Sequence, residues 1–164
     1  MKCDKDQREA IIFQPYSGLH LCEIHFVEDF ERKAKREIRK HRWIAPGDRI
    51  AVGLSGGKDS SALLYFLKKL LGERRDVSLL AITVDEGICS YRDPARARRI
   101  AESLSVDWVK TSFQEEFGIT LDEIVRRTGM ERACSYCGVL RRRSLNAAAK
   151  RYGATRLAMG FNLD

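Results

Sequence analysis

The sequence predicts an α/β fold: a doubly wound parallel sheet with a small Cys/His module in front of it. Two observations lead to this fold class. Short apolar segments, typical of buried strands, alternate with longer segments whose apolar residues recur at helical spacing, and this alternation indicates a parallel sheet with helices on both faces. Ahead of them, residues 1–25 are rich in turn formers, cysteine and histidine and show no long apolar period.

Composition and spacing divide the chain into three parts. Residues 1–25 form the small module, which looks like a metal-binding one, residues 26–45 a basic linker helix, and residues 46–164 the main domain. The linker helix is predicted because apolar residues recur on one side while bases fill the other positions. Those apolar residues are Phe26, Phe30, Ala34 and Ile38. With 164 residues, the chain has no room for a second full domain.

The main domain is expected to alternate strands and helices. Strands are predicted at 49–54, 77–84, 106–110 and 156–159. An apolar-periodic helix follows the first strand, and Asp93-Pro94 opens a second helix with cap and first-turn chemistry. The segment Thr120-Leu121-Asp122-Glu123 has the capping-box pattern that starts a short third helix. A longer helix is predicted at 135–152.

The chain is basic, since 30 Lys+Arg against 23 Asp+Glu give a net charge of +7. Much of the excess lies in three clusters, at 32–42, 96–99 and 141–143. Such clusters suit a polyanion, because neutralising phosphates releases condensed counterions. A solvated helix face is the alternative. No apolar run reaches the about 18 residues of a membrane span, and the N-terminus lacks an apolar signal segment, so a cytoplasmic protein without membrane contact is expected.

A glycine-rich loop joins the first strand to its helix: Leu54-Ser55-Gly56-Gly57-Lys58-Asp59-Ser60. Backbone N–H groups at a helix N-terminus form an anion site with the helix dipole, and adjacent glycines let the backbone approach the anion closely. Ser55 and Ser60 add hydroxyl donors. Lys58 adds a positive charge for phosphates, and Asp59 adds a carboxylate able to hold Mg2+. The loop lacks the Walker A spacing, and a turn that merely closes a strand–helix unit is the alternative.

A pair of cysteines, Cys134 and Cys137, stands at the start of the last long helix, and Arg141 follows one turn later. Their spacing lets both sulfurs face one side of the helix. By itself, a C-x2-C pair allows a redox-active pair, half of a zinc site or two incidental cysteines. The five cysteines of the chain are an odd, unevenly spaced set, which is poor material for a disulfide framework in a reducing compartment.

The glycine-rich loop, preceded by Val52 and Gly53, resembles the PP-loop of the ATP pyrophosphatases, which adenylate a carbonyl-type oxygen and release pyrophosphate. Joined to the cysteine pair and to the acidic-Gly segment Asp85-Glu86-Gly87-Ile88, essentially the whole chain resembles the tRNA 2-thiolation branch, the TtcA/TtuA-type tRNA-2-thiouridine and tRNA-2-thiocytidine synthetases. The resemblance implies the PP-loop/adenine nucleotide alpha hydrolase-like fold, ATP and Mg2+, and a four-iron four-sulfur cluster that delivers sulfur.

The resemblance also implies site residues. Lys58 and Asp59 would be the catalytic ones. ATP would be bound by Leu54, Ser55, Gly56, Gly57, Lys58, Asp59, Ser60, Ile82, Val84, Arg141, Gly160 and Asp164. Cys134 and Cys137 would ligate the iron–sulfur cluster, together with a third cysteine further along the chain. The tRNA phosphates would be contacted by Arg36, Arg39, Lys40, Arg142 and Arg143.

The N-terminal module resembles the zinc knuckle of the thiouridine-type members, which has the form C-x2-C…C-x2-H. Here the ligands would be Cys3, Asp6, Cys22 and His25, so the sequence departs from the pattern at Asp6. Aspartate can ligate zinc, but replacing one thiolate should weaken the affinity and selectivity for Zn2+. A vestigial turn module without metal is the alternative.

The C-terminal segment departs from the family as well. The family continues from the fourth strand into a G-H-N-x-D-D segment, whereas this chain has Gly160-Phe161-Asn162-Leu163-Asp164. Phe161 cannot supply the hydrogen bonds or charge of a histidine. The sequence is therefore expected to be a fragment or a short homologue, without the third cluster cysteine and the rest of the tRNA-facing half.

The function predicted from the resemblance is ATP-dependent tRNA 2-thiolation: adenylation of the C2 oxygen of a tRNA pyrimidine, uridine favoured, and its replacement by sulfur. The expected partners are tRNA and a sulfur donor (a ubiquitin-like sulfur carrier, a persulfide or sulfide), with a homodimer left open. One alternative is a PP-loop ATP pyrophosphatase that acts on a small molecule. The other is a non-catalytic remnant that binds nucleotide or RNA.

Overall fold

A computed structural model of the chain describes residues 1–72, 74–88 and 93–161. The chain divides into two compact units, Met1–Ala45 and Pro46–Asp164. The predicted linker helix belongs to the first unit together with the Cys/His module. Within the described residues, no helix is both long enough and apolar enough to cross a membrane.

The first unit consists of a short antiparallel hairpin and one long helix. Strands β1 (Ile12–Gln14) and β2 (Leu19–Leu21) pair with each other, and helix α1 runs over Glu23–Lys40. The hairpin was not predicted, because strands of three residues are too short to show a two-residue period. Helix α1 begins three residues before the predicted start at Phe26, which places His25 in its first turn.

The second unit contains a four-stranded parallel sheet, in agreement with the predicted fold class. Its strands are β3 (Arg49–Gly53), β4 (Ser78–Asp85), β5 (Asp107–Ser112) and β6 (Arg156–Ala158). They lie in the order β5-β4-β3-β6, and every neighbouring pair is parallel. In chain order, β4 is added beside β3 and β5 beside β4, and β6 is then added on the opposite side of β3. Ligands of open α/β sheets bind at such a switch point, at the carboxyl ends of the strands.

Five helices accompany the sheet in the described part of the second unit. They are α2 (Lys58–Leu71), α3 (Pro94–Ser103), α4 (Phe113–Phe117), α5 (Leu121–Thr128) and α6 (Ala133–Arg151). Helix α6 packs Leu145, Ala148 and Ala149 against sheet residues that include Leu80 and Ile82. The alternate residues Ile50 and Val52 of β3 are also buried. Both faces of the sheet are therefore covered, as the pattern predicts.

Three helices of the second unit begin at side-chain caps that residues close in sequence provide. Asp93 accepts a hydrogen bond from the Ala95 N–H, and Thr120 forms the predicted capping box with Glu123. Ser112 forms a second capping box with Glu115 and starts α4, which was not predicted. A helix of five residues is too short to show an apolar period, so only its cap could have revealed it.

Candidate functional site

The glycine-rich loop takes the geometry that its glycines allow. Gly56 has φ +77°, and a Cβ there would lie 3.4 Å from the Ala97 backbone N. Gly57 is the N-cap of α2, so the helix begins at Lys58 and its first N–H groups face the loop. A side chain at Gly56 would therefore both strain the backbone and press on the start of α3.

The two serines of the loop close a hydrogen-bond network. The Ser60 hydroxyl is buried, donates to the Gly57 carbonyl at 3.2 Å and accepts from the Ser55 N–H at 3.2 Å. The two serine Oγ atoms are 3.0 Å apart, and the Gly57 N–H donates to Ser55 Oγ at 3.3 Å. These hydroxyls hold the loop in shape. They could exchange these contacts for phosphate oxygens, which are stronger acceptors.

The start of the loop is tied to the neighbouring strands. The Leu54 N–H donates to the Ile82 carbonyl at 2.8 Å, which extends the β3–β4 ladder by one residue. The Thr83 hydroxyl donates to the Leu54 carbonyl at 2.8 Å and accepts from Trp108 Nε1 at 2.9 Å. Strands β4 and β5 therefore both hold the point at which the loop leaves the sheet.

A cleft with an accessible volume of about 100 Å³ opens at the carboxyl ends of β3, β4 and β6. Seven residues of the predicted ATP site line it: Leu54, Ser55, Ser60, Ile82, Val84, Arg141 and Gly160. Five further residues complete the lining and were not predicted: Gly53, Glu86, Leu145, Met159 and Phe161.

The other predicted ATP-binding residues are not among those lining this cleft. Gly56, Gly57, Lys58 and Asp59 lie in the adjoining loop and the first turn of α2, and the last two are exposed. Asp164 lies outside the described residues. Gly160 packs against the first turn of α2, because a Cβ at this position would lie 2.9 Å from the Asp59 carbonyl oxygen. The end of β6 thus approaches the loop through a residue without a side chain.

A buried ion pair connects the cleft to the cysteine pair. Glu86 is only 4% exposed, and its Oε1 lies 2.5 Å from Arg141 Nε. Arg141 Nη2 donates to Cys137 Sγ at 3.0 Å. Burial alone would lower the pKa of Arg141, but the charge of Glu86 and its hydrogen bond raise that pKa above its ordinary value, so the guanidinium stays charged.

The segment after β4 holds Glu86 in place. The Glu86 carbonyl accepts a hydrogen bond from the Leu121 N–H at 2.8 Å, and the Gly87 N–H donates to Asp85 Oδ1 at 3.0 Å. Gly87 has φ +70°, and a Cβ there would lie 2.7 Å from the Thr120 side chain. The start of α5 therefore leaves room only for glycine at this position.

We predict that Gly87→Ala lowers the free energy of unfolding by about 1–3 kcal/mol more than Gly153→Ala does. Gly153 also has φ +70°, but no atom lies within 4 Å of its hypothetical Cβ. Both substitutions carry the left-handed backbone cost of about 1–2 kcal/mol, and only Gly87→Ala adds the collision with Thr120. Urea unfolding of both variants measures the difference. Equal losses in the free energy of unfolding would show that the segment after β4 shifts to accommodate the added methyl group at no cost.

The two cysteines of the pair have different surroundings. Cys134 is exposed, whereas Cys137 is buried in a cluster with Phe113, Leu121 and Ile124. Both lie in the first turns of α6, as predicted, although that helix begins two residues earlier than expected. Within the described residues, no third cysteine, histidine or carboxylate joins this pair to make a group of metal ligands.

The N-terminal module brings its four predicted ligands together. Cys3, Asp6, Cys22 and His25 place one ligand atom each within 4.8 Å of the others. His25 Nδ1 lies 3.3 Å from each cysteine sulfur and 3.5 Å from Asp6 Oδ2, and Asp6 Oδ2 lies 3.7 Å from Cys22 Sγ. Tetrahedral zinc with bonds of about 2.0–2.3 Å separates its ligand atoms by about 3.3–3.8 Å. The four residues therefore fit a zinc ion.

Backbone hydrogen bonds favour the anionic forms of these ligands. Burial alone would raise the pKa of the Cys3 thiol, but hydrogen bonds from the Cys22 and Lys5 backbone outweigh it and lower that pKa. Burial would also raise the pKa of Asp6, and the Arg8 N–H, which donates to Asp6 Oδ1 at 3.0 Å, does most to lower it. Metal ligation requires these deprotonated forms.

The predicted tRNA-contacting residues lie in both units. Arg36, Arg39 and Lys40 are exposed near the end of α1, and Arg142 and Arg143 are exposed on α6. Glu37 forms ion pairs with Arg36 and Lys40 at 3.4 and 3.9 Å. Arg143 lies over the Phe117 ring, with its guanidinium carbon 5.6 Å from the ring centroid. Surface pairs of this kind are weak and can exchange for phosphates.

Comparisons with family models match nearly the whole chain. Residues 1–27 match the N-terminal LIM domain of the 2-thiouridine synthetase TtuA, and residues 26–159 match the PP-loop domain. Because the second match covers most of the chain, it establishes the family of the main domain. The first match coincides with the unit that carries the Cys/His ligands.

Similar proteins and structures agree with these models. The chain is 37% identical to the tRNA 2-thiolation protein NcsA of Haloferax volcanii, covering 100% of this chain and 54% of that protein. It is 37% identical to the cytoplasmic tRNA 2-thiolation protein 1 of Eremothecium gossypii, covering 96% of this chain and 43% of that protein. The chain thus spans about half the length of these relatives.

A solved structure shares both the fold and the sequence pattern. The U34-tRNA thiolase NcsA from Methanococcus maripaludis, determined with its [4Fe-4S] cluster, has a TM-score of 0.86 and 34% identity, covering 99% of this chain and 55% of that one. The NH3-dependent NAD synthetase of Campylobacter jejuni, at 17% identity and a TM-score of 0.53, shares the fold alone. The chain therefore belongs to the PP-loop family and, within it, to the tRNA 2-thiolation group.

Proposed function

We propose that this chain is the nucleotide-binding part of an ATP-dependent tRNA sulfurtransferase, which adenylates the C2 oxygen of a tRNA pyrimidine, uridine favoured, and replaces that oxygen with sulfur. One observation carries the proposal: the cleft beside the PP-loop reaches Cys137 through Arg141, whose guanidinium lies 3.0 Å from the sulfur. Nucleotide activation and sulfur chemistry therefore have adjoining sites within one unit.

In the first step, the C2 oxygen attacks the α-phosphorus of ATP, an O–P bond forms, and pyrophosphate leaves. The loop N–H groups and Lys58 stabilise the negative charge that builds on the phosphates. Asp59, in the first turn of α2, is the carboxylate placed to hold Mg2+ beside them. In the second step, a sulfide sulfur adds to C2, the C2–O bond breaks, and AMP leaves with the oxygen.

The cysteine pair is the candidate ligand set for an iron–sulfur cluster. Cys134 and Cys137 occur on one helix at the i, i+3 spacing that brings two sulfurs to one side. A cluster would deliver the sulfur, and Cys134, being exposed, leaves it accessible. Thiolates are the ligands that such clusters require, and the Arg141 contact favours a negatively charged Cys137 sulfur. The further ligands would come from outside the described residues.

The basic residues would bind and orient the tRNA. Arg36, Arg39 and Lys40 on α1 and Arg142 and Arg143 on α6 offer charges to phosphates, which positions an RNA without reading its bases. The target pyrimidine would have to leave its stack to reach the cleft. A cytoplasmic location accords with this substrate.

Pyrophosphate release by the purified chain, with ATP and Mg2+, tests the proposal. We expect release that depends on added tRNA, because the acceptor oxygen belongs to the tRNA base. An RNase-treated tRNA sample is the matched control and should abolish the release. Release with a small acceptor but without tRNA would favour a small-molecule ATP pyrophosphatase instead. No release under either condition would favour a non-catalytic binding protein.

A further inference from the structure

We infer that Glu86 is a positioning residue, which holds the Arg141 guanidinium where it can contact both the bound nucleotide and Cys137. This inference rests on the proposed function and names a residue that acts within the same site. Glu86 lines the cleft, and its side chain is 3% exposed. A carboxylate so deeply buried needs a partner, and Arg141 Nε provides one at 2.5 Å.

The ion pair determines the direction of the arginine side chain. Arg141 and Cys137 are four residues apart on α6, so the helix alone places them near each other. Glu86 directly follows β4, so its contact with Arg141 fixes the guanidinium against a second element that lines the same cleft. Without that anion, a long arginine side chain 29% exposed would have many rotamers toward solvent.

Within the described residues, Glu86 and Cys137 take two of the N–H donors of the guanidinium and leave others for a nucleotide. Of its five N–H donors, Nε binds Glu86 and one on Nη2 binds Cys137. The cleft that Arg141 lines also contains Ser55 and Ser60 of the PP-loop. A phosphate bound at the loop would therefore lie in the same cleft as a guanidinium that Glu86 holds, and this guanidinium also contacts Cys137 Sγ.

Glu86 is also held more firmly than a surface carboxylate. Its backbone carbonyl accepts a hydrogen bond from the Leu121 N–H, and the Thr120 side chain packs closely against the following residue, Gly87. The carboxylate therefore starts from a rigid segment, which is the condition for a side chain to orient another. A purely stabilising ion pair would not need to lie in the lining of the cleft.

A binding experiment with two nucleotides distinguishes positioning from general stabilisation. ATP and adenosine are titrated into the wild-type chain and into Glu86→Gln, Arg141→Gln and the double variant. We expect Glu86→Gln to raise the Kd for ATP by about 10- to 100-fold, the scale of one charge-assisted contact. The Kd for adenosine, which lacks phosphates, should stay unchanged. The double variant should be no weaker than Arg141→Gln, because Glu86 acts through Arg141.

The matched control is Glu116→Gln. Glu116 also pairs with an arginine of α6, Arg151, at 2.6 Å, but it does not line the cleft. This variant should bind ATP like the wild type. If Glu86→Gln does not fold, Glu86→Asp keeps the charge but draws it back by one methylene, and an intermediate loss of ATP affinity is expected.

Three results would overturn the inference: unchanged ATP affinity in Glu86→Gln, equal weakening of ATP and adenosine, or losses that multiply in the double variant. A wild type that binds ATP but releases no pyrophosphate with tRNA would contradict the proposed function and leave the role of Glu86 intact. A wild type that binds no ATP would contradict both.

Discussion

Replacing Lys58 with alanine is expected to slow tRNA-dependent pyrophosphate release by about 100- to 1,000-fold, the loss typical of removing one group that stabilises charge in a transition state. Lys58 is the first residue of α2 and is exposed beside the loop. We therefore expect its ammonium group to reach the phosphates of a bound nucleotide without being needed for the stability of the fold. Because the charge on the phosphates grows in the transition state, kcat should fall more than KM rises.

Lys69→Ala is the control for this prediction. Lys69 is an exposed lysine in the last turn of the same helix, far from the loop, so its loss changes the net charge equally. The Lys69→Ala variant should release pyrophosphate near the wild-type rate, and Lys58→Ala should unfold at the wild-type temperature. A rate for Lys58→Ala within a few fold of the wild type would exclude a catalytic role for this lysine.

We expect the first unit to bind zinc, and replacing Cys22 with alanine to abolish that binding and unfold the unit. Cys22 is 2% exposed, is the N-cap of α1 and packs with Leu21 and Cys3 in a core cluster of that unit. The unit has a small core, and the free energy of binding a structural zinc ion, about 10–16 kcal/mol, is then folding free energy. The zinc content of the purified chain, measured by metal analysis, should fall from one zinc ion per chain in the wild type to none in the variant.

Cys134→Ala provides the matched control, since it removes a cysteine that lies outside the four-ligand group. That variant should keep its zinc. Asp6→Cys should bind zinc at least about tenfold more tightly than the wild type, because a thiolate is the softer ligand that Zn2+ prefers. A wild-type chain purified without zinc, and unable to take it up, would show that the module is folded by its core alone.

Much of the fold could be predicted because its cues are local. Thr120 and Glu123 stand three residues apart in the sequence and form the predicted capping box. The buried strands are apolar runs that need no distant information. The hairpin of the first unit and helix α4 were missed because three to five residues cannot display a period.

Some residues of the candidate site could also be predicted from the sequence, and others could not. Seven predicted ATP-binding residues line one cleft, and the four predicted zinc ligands lie together. Short motifs indicate the members of each set, and the fold brings its distant members, such as Arg141 and Gly160, to the same place. Glu86 was seen in the sequence only as part of an acidic-Gly segment. Its partner is 55 residues away, and nothing in the spacing of the two indicates that they pair.

The sequence by itself determined the PP-loop motif at Ser55–Ser60 and the alternation of strands and helices, and it indicated Cys3, Asp6, Cys22 and His25 as candidate zinc ligands. The first two features depend on neighbours along the chain, whose geometry the backbone sets. Only the tertiary structure decided that a cleft opens at the carboxyl ends of β3, β4 and β6. It also decided that Arg141, which lines this cleft, contacts both Glu86 and Cys137. Contacts of that kind form when the sheet assembles, because they join residues that only packing brings within a few ångströms.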